Sequence, residues 1–286
     1  MSALLGLPER TWIDGVETAQ VSLLDRGLQY GDGLFETMAA PGAGVRFLSL
    51  HLKRLAQGCE RLGIAVPDLR LLRREIATAA GGGRAIVKLI VTRGQARARG
   101  YAVSGDEEPT RILLRYPWKG EDTGAMREGV RVRIADLKLA ENPALAGIKH
   151  LNRLEQILAR LEWDDAGIAE ALLFSHSGAL TSGTMSNVFL VRDGRLLTPR
   201  LDRCGVAGVM REVVGTLAAG AGVDLERCAL DLEDLNRAEE IFLTSALTGI
   251  RPVVELAGRR IAIGAAPRRL QAALAPPLAH AEGTDS

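Results

Sequence analysis

Two stretches of this chain carry residues whose type and setting could do chemistry. In "AGIKHLNRLEQILARLEW", residues 146–163, Lys149 stands just past Gly147, at the start of a segment in which Leu151, Leu154, Ile157, Leu158 and Leu161 recur at helical spacing. Lysine is scarce: there are 5, at positions 53, 88, 119, 138 and 149, against 31 arginines, a skew of genomic base composition that singles out each lysine left. A helix N-terminus carries partial positive charge, which disfavours an ammonium group, and burial acts in the same sense. An amine there is expected to be neutral near pH 7, and a neutral amine attacks carbonyls to form Schiff bases.

The second stretch is "CGVAGVMRE", residues 204–212, a glycine-containing loop entering a helix. Backbone N–H groups at such an end favour an anion, here through the amides of Val209 and Met210. The commonest carbonyl cofactor, pyridoxal 5'-phosphate (PLP), needs both a lysine and a phosphate cradle.

The elements that must position these residues follow from patterning. "TWIDG" with "VETAQVS", then "LFETMAA" and "GVRFLSL" joined by "PGAG", predict a meander. Ser49 is a candidate cap for a helix with Leu52, Leu55, Cys59 and Leu62 on one face, and "PDLRLLRREIATAA" predicts a second helix ended by "GGG". Strands follow at "RAIVKLIVTRG" and "TRILLRYPW", and the polar run "KGEDTGAMREG" suits a linker. Beyond it come the strand "VRVRIADLK", the Lys149 helix, the strands "EALLFS", "SNVFLV" and "RLLTP", helices at "GVMREVVGTLAAG" and "LEDLNRAEE", the pair "IFLTSA" and "IRPVVEL", and a helix at "PRRLQAALA".

Strands and helices mix without strict alternation, so the expected class is α+β (mixed α/β) in two domains: a smaller one over 1–116, a linker over 117–127, a larger one over 128–280, and a disordered tail at 281–286. Apolar residues make up 47% and charged residues 25%, with a net charge of +1, which predicts a soluble globular protein with no polyanion or nucleic-acid partner. No run approaches the roughly 18 to 20 apolar residues of a membrane span, and the start lacks the pattern of a secretion signal, so a cytoplasmic location is expected. Cys59, Cys204 and Cys228 share no ligand spacing and predict neither disulfides nor a metal site. GxGxxG after a strand, GxxxxGK[ST] and HExxH are all missing.

The segments "DRGLQYGDGLFET", "HLKRL", "GIKHLNRLEQ", "SNVFLV" and "TPRLDRCGVAGVMRE" together resemble the fold-type IV PLP enzymes over about residues 12–254. Within that family, "NPALAGIKHLNRLEQ" with "ARGYAV" is most similar to the 4-amino-4-deoxychorismate lyases, which release 4-aminobenzoate and pyruvate for folate synthesis. The resemblance implies two domains with the active site between them, PLP as cofactor and a homodimer.

Carried over by position, Lys149 matches the Schiff-base lysine and Arg54 the phosphate-binding arginine, for which a planar guanidinium is suited. Ser245 and Ala246 match a second phosphate-side turn. Tyr30, Phe35 and Thr37 fall where alternate residues line the pocket, with Tyr30 and Thr37 as substrate-side candidates, while Gly31, Asp32 and Gly33 read as a tight turn. Arg99 in "RARGY" matches a lyase-type arginine for the substrate carboxylates, although Arg93 and Arg97 share its loop.

One departure concerns the acid of the family's Thr-Glu-x-x-x-x-Asn motif. This chain has "TSGTMSN", which keeps Asn187 but places Ser182 where the carboxylate would face the cofactor's ring nitrogen. A neutral partner makes the ring a weaker electron sink. That disfavours amino transfer and harms less an elimination driven by aromatisation, with Lys149 as general base. The expected activity is therefore aminodeoxychorismate lyase; the alternatives are a D- or branched-chain amino acid aminotransferase and a PLP-binding protein without turnover.

Overall fold

In the computed structural model the described residues are 6–279 except 43 and 222. The expected turn at 41–44 and tail at 281–286 therefore fall partly or wholly outside them. The chain forms two compact units, one running up to Gly120 and including Ile148–Asn152, the other comprising Glu121–Gly147 and Arg153–Ala279. Residues 148–152 thus group with the N-terminal unit, and part of the expected linker over 117–127 is helical.

The N-terminal unit contains β1 (Arg10–Ile13), β2 (Val16–Glu17), α1 (Arg26–Tyr30), β3 (Gly33–Ala40), α2 (Leu48–Leu62), α3 (Leu69–Ala80), β4 (Ala85–Thr92) and β5 (Arg111–Pro117). Its antiparallel sheet has the order β2-β1-β5-β4-β3. β4 lies inside this sheet; Ala85, Val87, Leu89 and Val91 on one face are fully buried, while on the other Lys88 and Ile90 are half-buried between buried Ile86 and Thr92. Asp68 caps α3 by accepting from the amide of Arg70, and Gly81 ends it in the left-handed region.

"GVRFLSL" does not form the second strand of a hairpin. Phe47 has φ 54°, and α2 starts at Leu48 with no side-chain cap, so Ser49 lies inside the helix. Burial of Leu48, Leu52, Leu55 and Cys59 on one face outweighs the short β-like pattern. Gly58 lets α2 approach β3 closely: a Cβ there would lie 2.9 Å from both methyl carbons of Leu34.

The larger unit contains α4 (Thr123–Glu128), β6 (Val130–Leu139), α5 (Leu154–Arg160), β7 (Ile168–Ser175), β8 (Leu180–Gly183), β9 (Asn187–Arg192), β10 (Arg195–Pro199), α6 (Val209–Gly220), β11 (Leu225–Cys228), α7 (Leu232–Arg237), β12 (Glu240–Ser245), β13 (Gly249–Leu256), β14 (Arg259–Arg260) and α8 (Ala265–Ala279). Its mixed sheet runs β11-β10-β9-β12-β13-β6-β7-β8, with β14 on β13, and curls so that β8 comes back against β9. Val132, Leu172, Val188, Leu190, Leu243 and Val253 form part of its core.

Mixed α and β content agrees with the sequence expectation. No helix among the described residues is long and apolar enough to cross a membrane.

Candidate functional site

Lys149 does not open a helix. The amide of Phe35 donates to its carbonyl at 3.0 Å, His150 bridges Leu34, and the amide of Leu151 donates to the carbonyl of Gly33 at 2.9 Å. Residues 149–151 therefore pair antiparallel with the edge strand β3. A backbone engaged in a ladder cannot also serve a helix, and α5 begins only at Leu154. Of the residues expected to form a buried apolar stripe, Leu154 is 73% exposed and Leu161 75%, with Ile157 and Leu158 exposed too. The helix-dipole basis for a neutral Lys149 does not apply at this position; Lys149 is half-buried, with Nζ 4.2 Å from the centre of the Phe35 ring.

The chain before Lys149 is fixed as firmly. Gly147, at φ +83°, donates its amide to the carbonyl of Gly205 at 2.9 Å and accepts from the amide of Ala207 at 3.0 Å. Glu141 accepts from Arg203 Nε at 2.5 Å and also from the Ser177 hydroxyl. Side-chain hydrogen bonds from Ser177, Ser175 and Arg203 hold the carboxyl of Glu141 at about 2.

The loop that pairs with Gly147 leads directly into α6. Gly208 is its N-cap, with no side-chain cap bond, so the first-turn amides of Val209 and Met210 face outward from a helix of 12 residues. Asn187 holds this entry: its Nδ2 donates to the carbonyl of Val206 at 2.9 Å, and its Oδ1 accepts from the amide of Gly208 at 3.0 Å. A Cβ on residue 208 would lie 2.1 Å from that Oδ1. Both polar atoms of Asn187 are thereby engaged with backbone, which makes it a support of the loop.

Thr244, paired with Asn187 across β9 and β12, is buried, and its hydroxyl oxygen has no hydrogen-bond partner among the described residues. Ser245 Oγ lies 2.8 Å from Thr248 Oγ1 in the turn that also contains Ala246. An uncapped helix start, a glycine that leaves no room for a Cβ and an orphaned buried hydroxyl suit an anionic group, and a phosphate fits that donor set.

Ser182 is buried on β8, and its hydroxyl donates to the carbonyl of Gly183 at 2.8 Å. The buried carboxylate nearby, Glu170, accepts from the amides of Thr184 (2.9 Å) and Met185 (3.1 Å), from Ser186 Oγ at 3.0 Å and from the Thr184 hydroxyl. It stabilises that loop and leaves Ser182 as the side chain at the motif's acidic position.

In the N-terminal unit, Arg54 on α2 meets Glu36 on β3, with Nε donating to Oε1 at 2.8 Å and Nη2 to Oε2. Thr37 is half-buried opposite Lys88. Tyr30 ends α1 and packs edge-on to Tyr101 at 5.5 Å. The three arginines of the 93–99 stretch separate clearly. Arg93 is buried on Asp32 and on the carbonyls of Leu62 and Gly63, exposed Arg97 pairs with exposed Asp106 at 2.9 Å, and Arg99 is exposed.

Asp32 does more than sit in a turn. It accepts from Arg26 Nε at 2.9 Å and from Arg93 Nε at 2.8 Å, and Arg26 in turn holds the carbonyls of Gly100, Tyr101 and Ala102.

Sequence reasoning gave no role to Glu36 and His51, which form one cluster with Arg54, or to Lys88, which it noted only as one of five lysines. Lys88 Nζ lies 5.2 Å from the centre of the same Phe35 ring, and burial pushes its ammonium below the usual lysine range. A lysine in the otherwise apolar "AIVKLIV" was the available signal.

The family model described as amino-transferase class IV matches residues 33–256. The chain is 32% identical to the aminodeoxychorismate lyase of Vibrio harveyi, over 91% of this chain and 97% of that protein. It is 34% identical to a putative branched-chain-amino-acid aminotransferase of Methanocaldococcus jannaschii, over 85% of each. Among solved structures, 4-amino-4-deoxychorismate lyase from Pseudomonas aeruginosa is similar at 44% identity and a TM-score of 0.90, covering 94% of this chain and all of that one. The chain belongs to the class IV amino-transferase family.

Proposed function

We propose that this protein is a PLP-dependent 4-amino-4-deoxychorismate lyase that forms 4-aminobenzoate and pyruvate. The observation that carries the reading is the 44% identity and the TM-score of 0.90 to a lyase of that name, over nearly the whole of both chains. When bound, PLP supplies an electrophilic carbonyl carbon and a conjugated ring that accepts electron density.

The chain's own residues then divide the work. Lys149 Nζ would hold the cofactor's carbonyl carbon, and the same amine is the base that would take the proton from the substrate ring carbon that bears nitrogen. The amides of Val209 and Met210, the Ser245–Ala246 turn and Arg54 are assigned to the phosphate, and Asn187 keeps the α6 entry in shape. Arg99 and Lys88 are the cations for the two substrate carboxylates, with Tyr30 and Thr37 beside them. Ser182 leaves the ring nitrogen without an anionic partner, which favours elimination over amino transfer.

A homodimer is part of this reading, supported by the apolar residues that α5 exposes at 154, 157, 158 and 161. So is a cytoplasmic location, in keeping with three free cysteines.

The test is a coupled assay in which chorismate, glutamine and an aminodeoxychorismate synthase feed the purified protein. Appearance of 4-aminobenzoate in proportion to the protein supports the lyase. An aminotransferase would instead bleach the visible band of the bound cofactor with an amino donor alone. A binding protein without turnover would do neither.

A further inference from the structure

Glu36 is 1% exposed, yet it is charged. Its neighbours Phe35 and Thr37 point to the opposite face of β3, because successive side chains of a strand alternate. On its own face Glu36 meets α2, where His51 and Arg54 stand three residues apart and so share one side of the helix. His51 Nδ1 lies 2.6 Å from Oε2, while Arg54 approaches both carboxylate oxygens through Nε and Nη2.

This fork has a geometric consequence. It engages the Nε–Nη2 edge of the guanidinium and fixes the plane of the group, so that the direction of its outer Nη1–Nη2 edge is set by Glu36. Arginine is flexible about four torsions, and a side chain only 14% exposed that is held at one edge presents the other in a single direction. His51 is fully buried and its Nδ1 meets Oε2, the oxygen that Arg54 Nη2 also reaches, which keeps Glu36 from rotating away.

We propose that Glu36, braced by His51, is a positioning residue for the cofactor phosphate: it acts through Arg54 by turning the outer edge of the guanidinium toward the phosphate. The inference rests on the assignment of Arg54 to the phosphate made above. It also opposes a simple charge argument, since an anion beside Arg54 weakens the general attraction for phosphate. Orientation must therefore dominate over net charge.

The experiment titrates apo-protein with PLP and, separately, with pyridoxal, which lacks the phosphate, following the visible absorption of the bound form. Glu36→Gln is expected to weaken PLP binding about 10-fold, the size of a charge-assisted hydrogen bond, and to leave pyridoxal binding unchanged. In an Arg54→Met background the same substitution has no further effect, within the roughly twofold scatter of additive changes. His51→Asn, whose amide nitrogen can replace Nδ1 as donor, retains wild-type PLP affinity, whereas His51→Leu loses it.

Equal losses for PLP and pyridoxal would show that the ion pair only holds α2 to β3, and overturn the proposal. Tighter PLP binding by Glu36→Gln would overturn it too, because charge would then outweigh orientation. If Arg54→Met itself keeps the preference for PLP over pyridoxal, the phosphate assignment of Arg54 fails. If Arg54→Met loses that preference and Glu36→Gln does not, only the role of Glu36 falls.

Discussion

Phe35 engages Lys149 twice: its amide donates to the lysine carbonyl at 3.0 Å, and its ring centre lies 4.2 Å from the lysine Nζ. The first contact is backbone and independent of side chain, whereas the second belongs to the amine.

Lys149→Ala should accordingly preserve the β3 pairing and the thermal midpoint while abolishing chemistry. Borohydride reduction in the presence of PLP is expected to label the peptide containing residue 149 in the wild type and no peptide in the variant. Lyase turnover falls by at least about 10²- to 10⁴-fold, the range of a lost general base. A label found on another lysine would refute the assignment.

Gly147, which pairs with the loop before α6, and Gly208, which ends that loop, fail differently when substituted. Gly147 has φ +83° but open space, with the nearest atom to an added Cβ at 3.8 Å, so Gly147→Ala should cost roughly 1–2 kcal/mol of stability through backbone strain alone. Gly208 has an ordinary φ of −70°, but its Cβ would strike Asn187 Oδ1. Gly208→Ala should therefore weaken PLP binding more than it lowers stability, as denaturant unfolding of the apo-protein beside a PLP titration will show.

Glu36 sets part of the acid limb. Burial pushes its carboxyl up, but the Arg54 guanidinium and His51 outweigh that and hold it at about 2. The folded value lies below the unfolded one, near 4.3, so its stabilisation is present above the unfolded value and is lost as pH falls toward 2. The loss is on the order of 3 kcal/mol. Denaturant melts between pH 5 and pH 2, in decrements of about 0.5, are expected to show a shallower decline for Glu36→Gln than for the wild type. Parallel curves would contradict this.

Lys88, beside Phe35 and partly desolvated, should bind a substrate carboxylate. Lys88→Met is expected to raise KM about 10- to 100-fold, in line with one charge-assisted hydrogen bond, with kcat little changed. A drop in kcat at constant KM would place Lys88 in the chemistry instead.

Ser182→Glu restores an acid at a buried position that now holds only a hydroxyl donating to the carbonyl of Gly183. A buried carboxylate gains from a protonated ring nitrogen, so formation of pyridoxamine 5'-phosphate with amino donors such as D-alanine should rise relative to 4-aminobenzoate release. An unchanged partition counts against a role for Ser182 in limiting amino transfer.

Local signals in the sequence were enough for most strands and for α3, α6 and α7, whose apolar spacing and flanking turn residues are written in consecutive residues. They also singled out Lys149 and the "CGVAGVMRE" helix start, since a scarce lysine and a glycine-to-helix transition need no distant partner to be noticed. The short strands β8 and β11 escaped, because four residues with little alternation become strands only when a neighbour supplies their hydrogen bonds.

What the sequence by itself determined was chemistry by residue type: a scarce amine and a glycine loop that enters a helix; that Ser182 stands where an acid is usual came from the family resemblance. Tertiary structure alone decided that Lys149 lies in a ladder with β3, that Asn187 serves the backbone of residues 206 and 208, and that Glu36, His51 and Arg54 form one cluster. The reason is sequence distance. Phe35 and Lys149 are 114 positions apart, and only chain folding could show that the lysine's backbone bonds go to a strand edge and leave nothing to start a helix.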